Sequence, residues 1–223
     1  MHKREVLKHI AFVGLVPVIR AESKDEAIRV IDAIAAGGLS TVEVTMTVPG
    51  AISIIEALHK RDSSLVVGAG TVLDPETARA CILAGAQFIV SPSLNLATIE
   101  ICRRYSVAVM PGALTPTEVL TAWEAGADVV KVFPCGAMGG ASYIKALKAP
   151  FPQIPLMPTG GVSMKTAADF IKAGAMALGV GSDLVDSKAI QEEDWNTLAT
   201  AVTVRAREYV SIVQEARGGA EEN

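Results

Sequence analysis

The sequence predicts an α/β chain folded as a (β/α)8 TIM barrel, on three observations. Eight short apolar, β-branched runs alternate with segments of helical spacing, an Ala-Gly pair recurs between them, and one lysine stands inside the sixth run. Short apolar runs of this kind are the pattern of strands buried on both faces, as in a parallel sheet flanked by helices. The chain has 223 residues, within the roughly 200 to 250 that such barrels commonly occupy, so a single domain over 1–223 is expected.

In order, Met1-His2-Lys3-Arg4-Glu5 leads into an amphipathic pattern, read as an extra N-terminal helix over 1–14. The strands then run Val16 to Arg20, Thr41 to Met46, Leu65 to Thr71, Phe88 to Ser91, Ala108 to Met110, Val129 to Phe133, Pro155 to Met157 and Ala177 to Val180. Helix starts are marked at Ser23-Lys24-Asp25-Glu26, Asp74-Pro75-Glu76 and Thr115-Pro116-Thr117-Glu118, where a capping residue precedes proline or an acidic first turn. Ala36-Gly37-Gly38, Ala84-Gly85-Ala86, Ala125-Gly126-Ala127 and Ala173-Gly174-Ala175 each close a helix before the second, fourth, sixth and eighth strands. Near-regular recurrence is what stacked βα pairs require. A doubly wound open sheet is the competing architecture, but no Gly-x-Gly-x-x-Gly opens the first helix and no P-loop appears. Glu193 to Gly218 reads as a final long helix, and 219–223 as a frayed polar tail.

Composition narrows the function. A net charge of -4 with no Lys/Arg cluster argues against nucleic acid as a partner. No apolar run approaches the roughly 20 residues of a membrane helix, and the amino terminus lacks a signal-peptide core, so no membrane partner and a soluble, cytoplasmic protein are expected. Cys81, Cys102 and Cys135 are odd in number and lack metal-ligand spacing, which fits reduced thiols.

In a (β/α)8 barrel the reacting groups lie at the C-terminal ends of strands. Here those ends offer Arg20; Glu43, Thr45 and Thr47; Gly68 to Thr71; Ser91-Pro92-Ser93; Pro111-Gly112; Lys131; Pro158-Thr159-Gly160-Gly161; and Gly179 to Ser182. Lys131 is the most informative. Burying an ammonium disfavours its charged form and frees the lone pair that attacks a ketone, which makes it a Schiff-base candidate. The alternative is a lysine that snorkels to solvent or pairs with a carboxylate. Glu43 shares the oddity, a charge between Val42 and Val44, and could shuttle protons for Lys131 or simply form a structural ion pair with it. Gly160-Gly161 and Gly179-Val180-Gly181-Ser182 follow the seventh and eighth strands, where barrels often bind phosphate through backbone N–H groups. His2, His9 and His59 all lie away from strand C-termini, and Glu43 and Asp183 are the main carboxylates there. Lysine chemistry without metal or cofactor is therefore expected. Cys135 follows Phe133-Pro134 with no histidine nearby to activate it and is read as a loop thiol.

With Lys131-Val132-Phe133-Pro134, Glu43-Val44-Thr45, Gly68-Ala69-Gly70-Thr71-Val72, Ser91-Pro92 and Pro158-Thr159-Gly160-Gly161 in order at compatible spacing, the chain closely resembles the 2-keto-3-deoxy-6-phosphogluconate / 4-hydroxy-2-oxoglutarate aldolase family from about Val16 to Leu184. The resemblance implies a metal-independent class I aldolase, a homotrimer, that splits 2-keto-3-deoxy-6-phosphogluconate into pyruvate and glyceraldehyde 3-phosphate in the Entner-Doudoroff route. It implies Lys131 as the Schiff-base lysine and Glu43 as the acid/base. Thr71, Pro92, Phe133 and Thr159 would border the pyruvyl part, and Gly160, Gly161 and Ser182 the phosphate. Some members carry arginine where this chain has Thr47, so Arg20 becomes the candidate for the substrate carboxylate, its alternative being a surface ion pair at the barrel rim; Thr45 and Thr47, at the neighbouring strand end, are read as substrate-binding.

Two substrates share this chemistry, 4-hydroxy-2-oxoglutarate and the galactonate-derived epimer, and the residues do not separate them. A phosphate-binding barrel isomerase would use Lys131 electrostatically, and a non-catalytic barrel would not use it at all.

Overall fold

The computed structural model describes residues 1–61, 64–185 and 195–218. Every run read as a strand carries one: β1 Leu15–Ile19, β2 Thr41–Thr45, β3 Val66–Gly70, β4 Phe88–Val90, β5 Ala108–Met110, β7 Val130–Val132, β8 Leu156–Pro158 and β9 Leu178–Val180. A two-residue strand, β6 Gly112–Ala113, is added one residue beyond β5. The helices are α1 Lys3–Val13, α2 Lys24–Ala36, α3 Ala51–Arg61, α4 Pro75–Leu83, α5 Leu96–Arg104, α6 Pro116–Glu124, α7 Ala141–Lys148, α8 Ala167–Lys172 and α9 Trp195–Gly218. Glu193, where the last helix was expected to begin, and the tail 219–223 lie outside the described residues.

The chain is an α/β fold with a parallel, curled sheet. Six strands run in the order β5-β4-β3-β2-β1-β9 and three in the order β6-β7-β8, and every pairing is parallel. Backbone bonds connect the two sets. The Lys131 N–H donates to the Pro111 carbonyl at 2.9 Å and the Asp128 N–H to Val109 at 3.0 Å. On the other side the Met176 N–H donates to Leu156 at 2.9 Å, and Thr159 bridges to Gly179.

The helix signals work as local chemistry requires. The Ser23 hydroxyl accepts the Glu26 N–H, Asp74 accepts the Thr77 N–H, and Thr115 and Glu118 form a capping box, so the first orphan donors of α2, α4 and α6 are satisfied. Gly38, Gly85, Gly126 and Gly174 have φ of +92°, +101°, +97° and +96°, the left-handed conformation that ends a helix without a Cβ clash.

Side chains alternate along each strand, which separates two apolar layers. Val42, Val44, Val67, Ala69, Ile89, Val109, Val130 and Val132 face the helices in the larger core. Val16, Val66, Phe88, Ala108, Val129 and Ala177, at or just before the beginnings of their strands, form a second cluster with Val6 and Ile10 of α1. Burying such side chains stabilises by about 1.5–3 kcal/mol each, enough to seat α1 against that end of the strands. The opposite end is left for polar residues.

Candidate functional site

Continuing the inward alternation past this cluster gives Val18 and Arg20, Glu43, Gly70, Lys131 and Phe133, Thr159, and Gly179 and Gly181. A cavity of about 270 Å³ opens at the C-terminal ends of the strands, and its lining includes Val18, Arg20, Glu43, Lys131, Phe133, Thr159, Gly179 and Gly181. Lys131 lies mid-strand in β7, in register with Gly112 and Met157, and Glu43 lies mid-strand in β2, in register with Val18 and Gly68. Backbone pairing on both sides therefore fixes both Cα atoms.

The Lys131 amine stands 3.8 Å from Glu43 Oε1, and the two residues are 5% and 1% exposed. That separation is an ion-pair contact, too long for a hydrogen bond. Neither Glu43 oxygen has a hydrogen-bond partner. Burial is the largest influence on this carboxyl and raises its pKa, while the charges of Lys131 and then Arg20 oppose the shift. The result is a carboxyl that holds a proton more readily than an exposed glutamate, beside an amine and facing a cavity. Lys131 Nζ also lies 5.3 Å from the centre of the Phe133 ring, close enough for a cation–π contact.

A second orphan sits nearby. Thr159 Oγ1 is buried without a partner, and a Cβ built on Gly179 would overlap it, so glycine there is what admits the hydroxyl. Buried hydroxyls are normally paired, and an unpaired one on a cavity wall is free for a ligand. Gly160 and Gly161 follow with φ of +82° and +79°. Gly161 packs on Gly136 so closely that a Cβ on it would lie 2.7 Å from the Gly136 Cα. The Cys135 N–H donates to Thr159 and the Gly136 N–H to Gly160, both at 2.9 Å, which holds the loop after β7 against the loop after β8. Thr71 adds strain, a β-branched residue at φ +56°.

Of the residues expected from sequence, Arg20, Glu43, Thr71, Pro92, Lys131, Phe133, Thr159, Gly160, Gly161 and Ser182 all line this one cavity. Thr45 and Thr47 lie outside its lining. The Thr45 hydroxyl is committed to the Ile19 carbonyl at 2.9 Å, with Thr47 Oγ1 2.7 Å away. Sequence reasoning missed Val18, Val162 and Val185 as lining residues. Only Val18 left a signal, since it stands two residues before Arg20 and shares its face. Cys135 is buried, which pushes its thiol up to about 11 and keeps it protonated and poorly nucleophilic.

Residues 6–201 match the family model described as KDPG and KHG aldolase. The chain is 31% identical to the 2-dehydro-3-deoxy-phosphogluconate aldolase of Haemophilus influenzae, covering 95% of this chain and 98% of that protein. It is 38% identical to the 2-dehydro-3-deoxy-6-phosphogalactonate aldolase of Escherichia coli, covering 76% and 83%. Among solved structures, the KDPG aldolase of Legionella pneumophila, with pyruvate captured at low pH as a covalent carbinolamine intermediate, superposes with a TM-score of 0.81 at 28% identity, covering 91% of this chain and 96% of that one.

Proposed function

Because the chain belongs to the KDPG and KHG aldolase family of carbon–carbon lyases, we propose that it cleaves 2-keto-3-deoxy-6-phosphogluconate to pyruvate and glyceraldehyde 3-phosphate through a Schiff base on Lys131. The observation that carries this is a buried amine 3.8 Å from a buried carboxylate in one cavity. The carbinolamine captured in the Legionella enzyme supports the same first step here.

The unprotonated Lys131 amine attacks the C2 ketone, and the carbinolamine loses water to give a protonated imine. That nitrogen draws electrons from the C3–C4 bond. Glu43 takes the proton of the C4 hydroxyl as the bond breaks, releasing the aldehyde and leaving an enamine. Protonation of the enamine carbon and hydrolysis of the imine release pyruvate and restore the amine. The raised pKa of Glu43 suits a group that must both accept and return a proton. The side chains of Thr71, Pro92, Phe133 and Thr159 border the pyruvyl part, and Gly160, Gly161 and Ser182 receive the phosphate. Arg20, on the cavity wall, meets the substrate carboxylate, and Thr45 and Thr47 lie outside that wall.

The same proposal takes the two sheets as one closed (β/α)8 barrel and the chain as one domain with α1 as its extra helix. The bonds from Lys131 to Pro111 and from Met176 to Leu156 support it. A cytoplasmic location is supported by three free thiols, and no described helix is long and apolar enough to cross a membrane. The homotrimer is carried over from the family resemblance, and a sedimenting mass three times the 23.3 kDa chain is its test.

A second reading, the phosphogalactonate epimer as substrate, is favoured by the 38% identity to the Escherichia coli enzyme. Pyruvate release from both phosphorylated epimers and from 4-hydroxy-2-oxoglutarate discriminates. The phosphogluconate derivative is expected to have the highest kcat/KM, with no loss of rate in EDTA. The highest kcat/KM for the unphosphorylated acid would contradict the assignment.

A further inference from the structure

The loop after β9 makes a contact that the chemistry above does not use. Asp183, next to Ser182, accepts the Tyr209 hydroxyl of α9 on Oδ2 at 2.5 Å, and the same oxygen accepts the Met164 N–H from the loop after β8 at 3.2 Å. Tyr209 is 0% exposed, among buried Val202, Ala206 and Val213 of the same helix. Burial first, and the bond to Asp183 second, raise its pKa, so the hydroxyl stays a donor. One carboxylate oxygen thus ties together the C-terminal helix and the loops that carry Gly161 and Ser182.

The loop after β9 has the greater use for such a tie. The loop after β8 is already packed on Gly136, but a Cβ on Gly181 would meet nothing within 4 Å, so side-chain packing at that glycine does not hold the loop after β9. A carboxylate one residue from an anion site is also a Coulombic liability unless donors engage it. Tyr209 and Met164 supply two.

We infer that the Asp183–Tyr209 hydrogen bond positions the phosphate end of the cavity, so that the C-terminal helix sets the preference for a phosphorylated over an unphosphorylated substrate. The inference rests on the reading that Gly160, Gly161 and Ser182 receive phosphate.

Tyr209→Phe keeps the ring that fills the core and removes only the hydroxyl, and Asp183→Ala removes the acceptor from a half-buried loop position. The probes are inorganic phosphate as inhibitor, 2-keto-3-deoxy-6-phosphogluconate, and unphosphorylated 4-hydroxy-2-oxoglutarate. Borohydride trapping with pyruvate controls for the Lys131 end. Both variants are expected to weaken phosphate inhibition and raise KM for the phosphorylated substrate roughly tenfold, as loss of a supporting partner does at metal sites. KM for 4-hydroxy-2-oxoglutarate and the extent of trapping are expected to stay within about twofold. Equal changes for both substrates, or unchanged phosphate inhibition in both variants, would overturn the positioning role and leave the phosphate site standing. Wild-type protein that phosphate does not inhibit would overturn the phosphate reading, and the positioning role with it.

Discussion

Gly70 of β3 holds open the space that the Glu43 carboxylate occupies: a Cβ built on Gly70 would overlap Glu43 Oε1. The strand that pairs with β2 therefore decides where this carboxylate stands, through a side chain it lacks. Gly70→Ala is expected to push the carboxylate off its position 3.8 Å from Lys131 and to lower kcat roughly a hundredfold, as small misplacements of reacting groups do. Steady-state kinetics beside a circular dichroism spectrum checks this. A folded variant with wild-type kcat would show that Glu43 need not stand there.

The role proposed for Glu43 fixes the expected pH dependence. In that role cleavage would need the ionised carboxylate, and burial raises its pKa above the ordinary 4.5. Lowering the pH through the raised value protonates the base, so rate is lost on the acidic side, and the acidic limb of log kcat lies above pH 4.5. Glu43→Gln is expected to lower kcat by about 10²–10⁴-fold and to abolish that limb. A limb that persists in Glu43→Gln belongs to another group.

Thr71 trades stability for the shape of the cavity wall. Its φ of +56° is costly for a β-branched residue, by about 1–3 kcal/mol, of which the added flexibility of glycine in the unfolded chain offsets part. Thr71→Gly is expected to gain about 1 kcal/mol, roughly 2–4 °C in Tm, while kcat/KM falls as the wall is lost. A variant that is less stable than wild type would refute the strain.

Ser106 is the matched control, at φ +56° and exposed at the end of α5, where α4, α6 and α8 end in Gly85, Gly126 and Gly174. Ser106→Gly is expected to raise Tm by roughly 2–4 °C, and its distance from the cavity leaves kcat and KM unchanged. Thermal unfolding and kinetics on the same preparation read both.

The strands were legible because each is buried on both faces and so reads as an apolar run, and the site was legible because polar residues at strand ends stand out against that background. The limits are equally local. Arg20, Met46, Thr71, Ser91 and Phe133 fall one residue past their strands, since a period-2 pattern does not mark where backbone pairing stops. Gly112–Ala113 is too short to carry any period. Thr45 looks like its polar neighbours, but its hydroxyl is spent on the Ile19 carbonyl of the adjacent strand, a choice that sequence does not record. Val162 and Val185 are chemically mute, and the partnership of Asp183 with Tyr209 joins a loop to a distant helix that no spacing rule connects.

The central claim is that the Lys131 amine forms the covalent bond to the keto acid. Borohydride reduction in the presence of pyruvate, followed by peptide mass mapping, tests it most directly. The predicted result is one pyruvyl-derived adduct on the peptide containing Lys131, lost in Lys131→Ala. An adduct on any other peptide, or none, would contradict it.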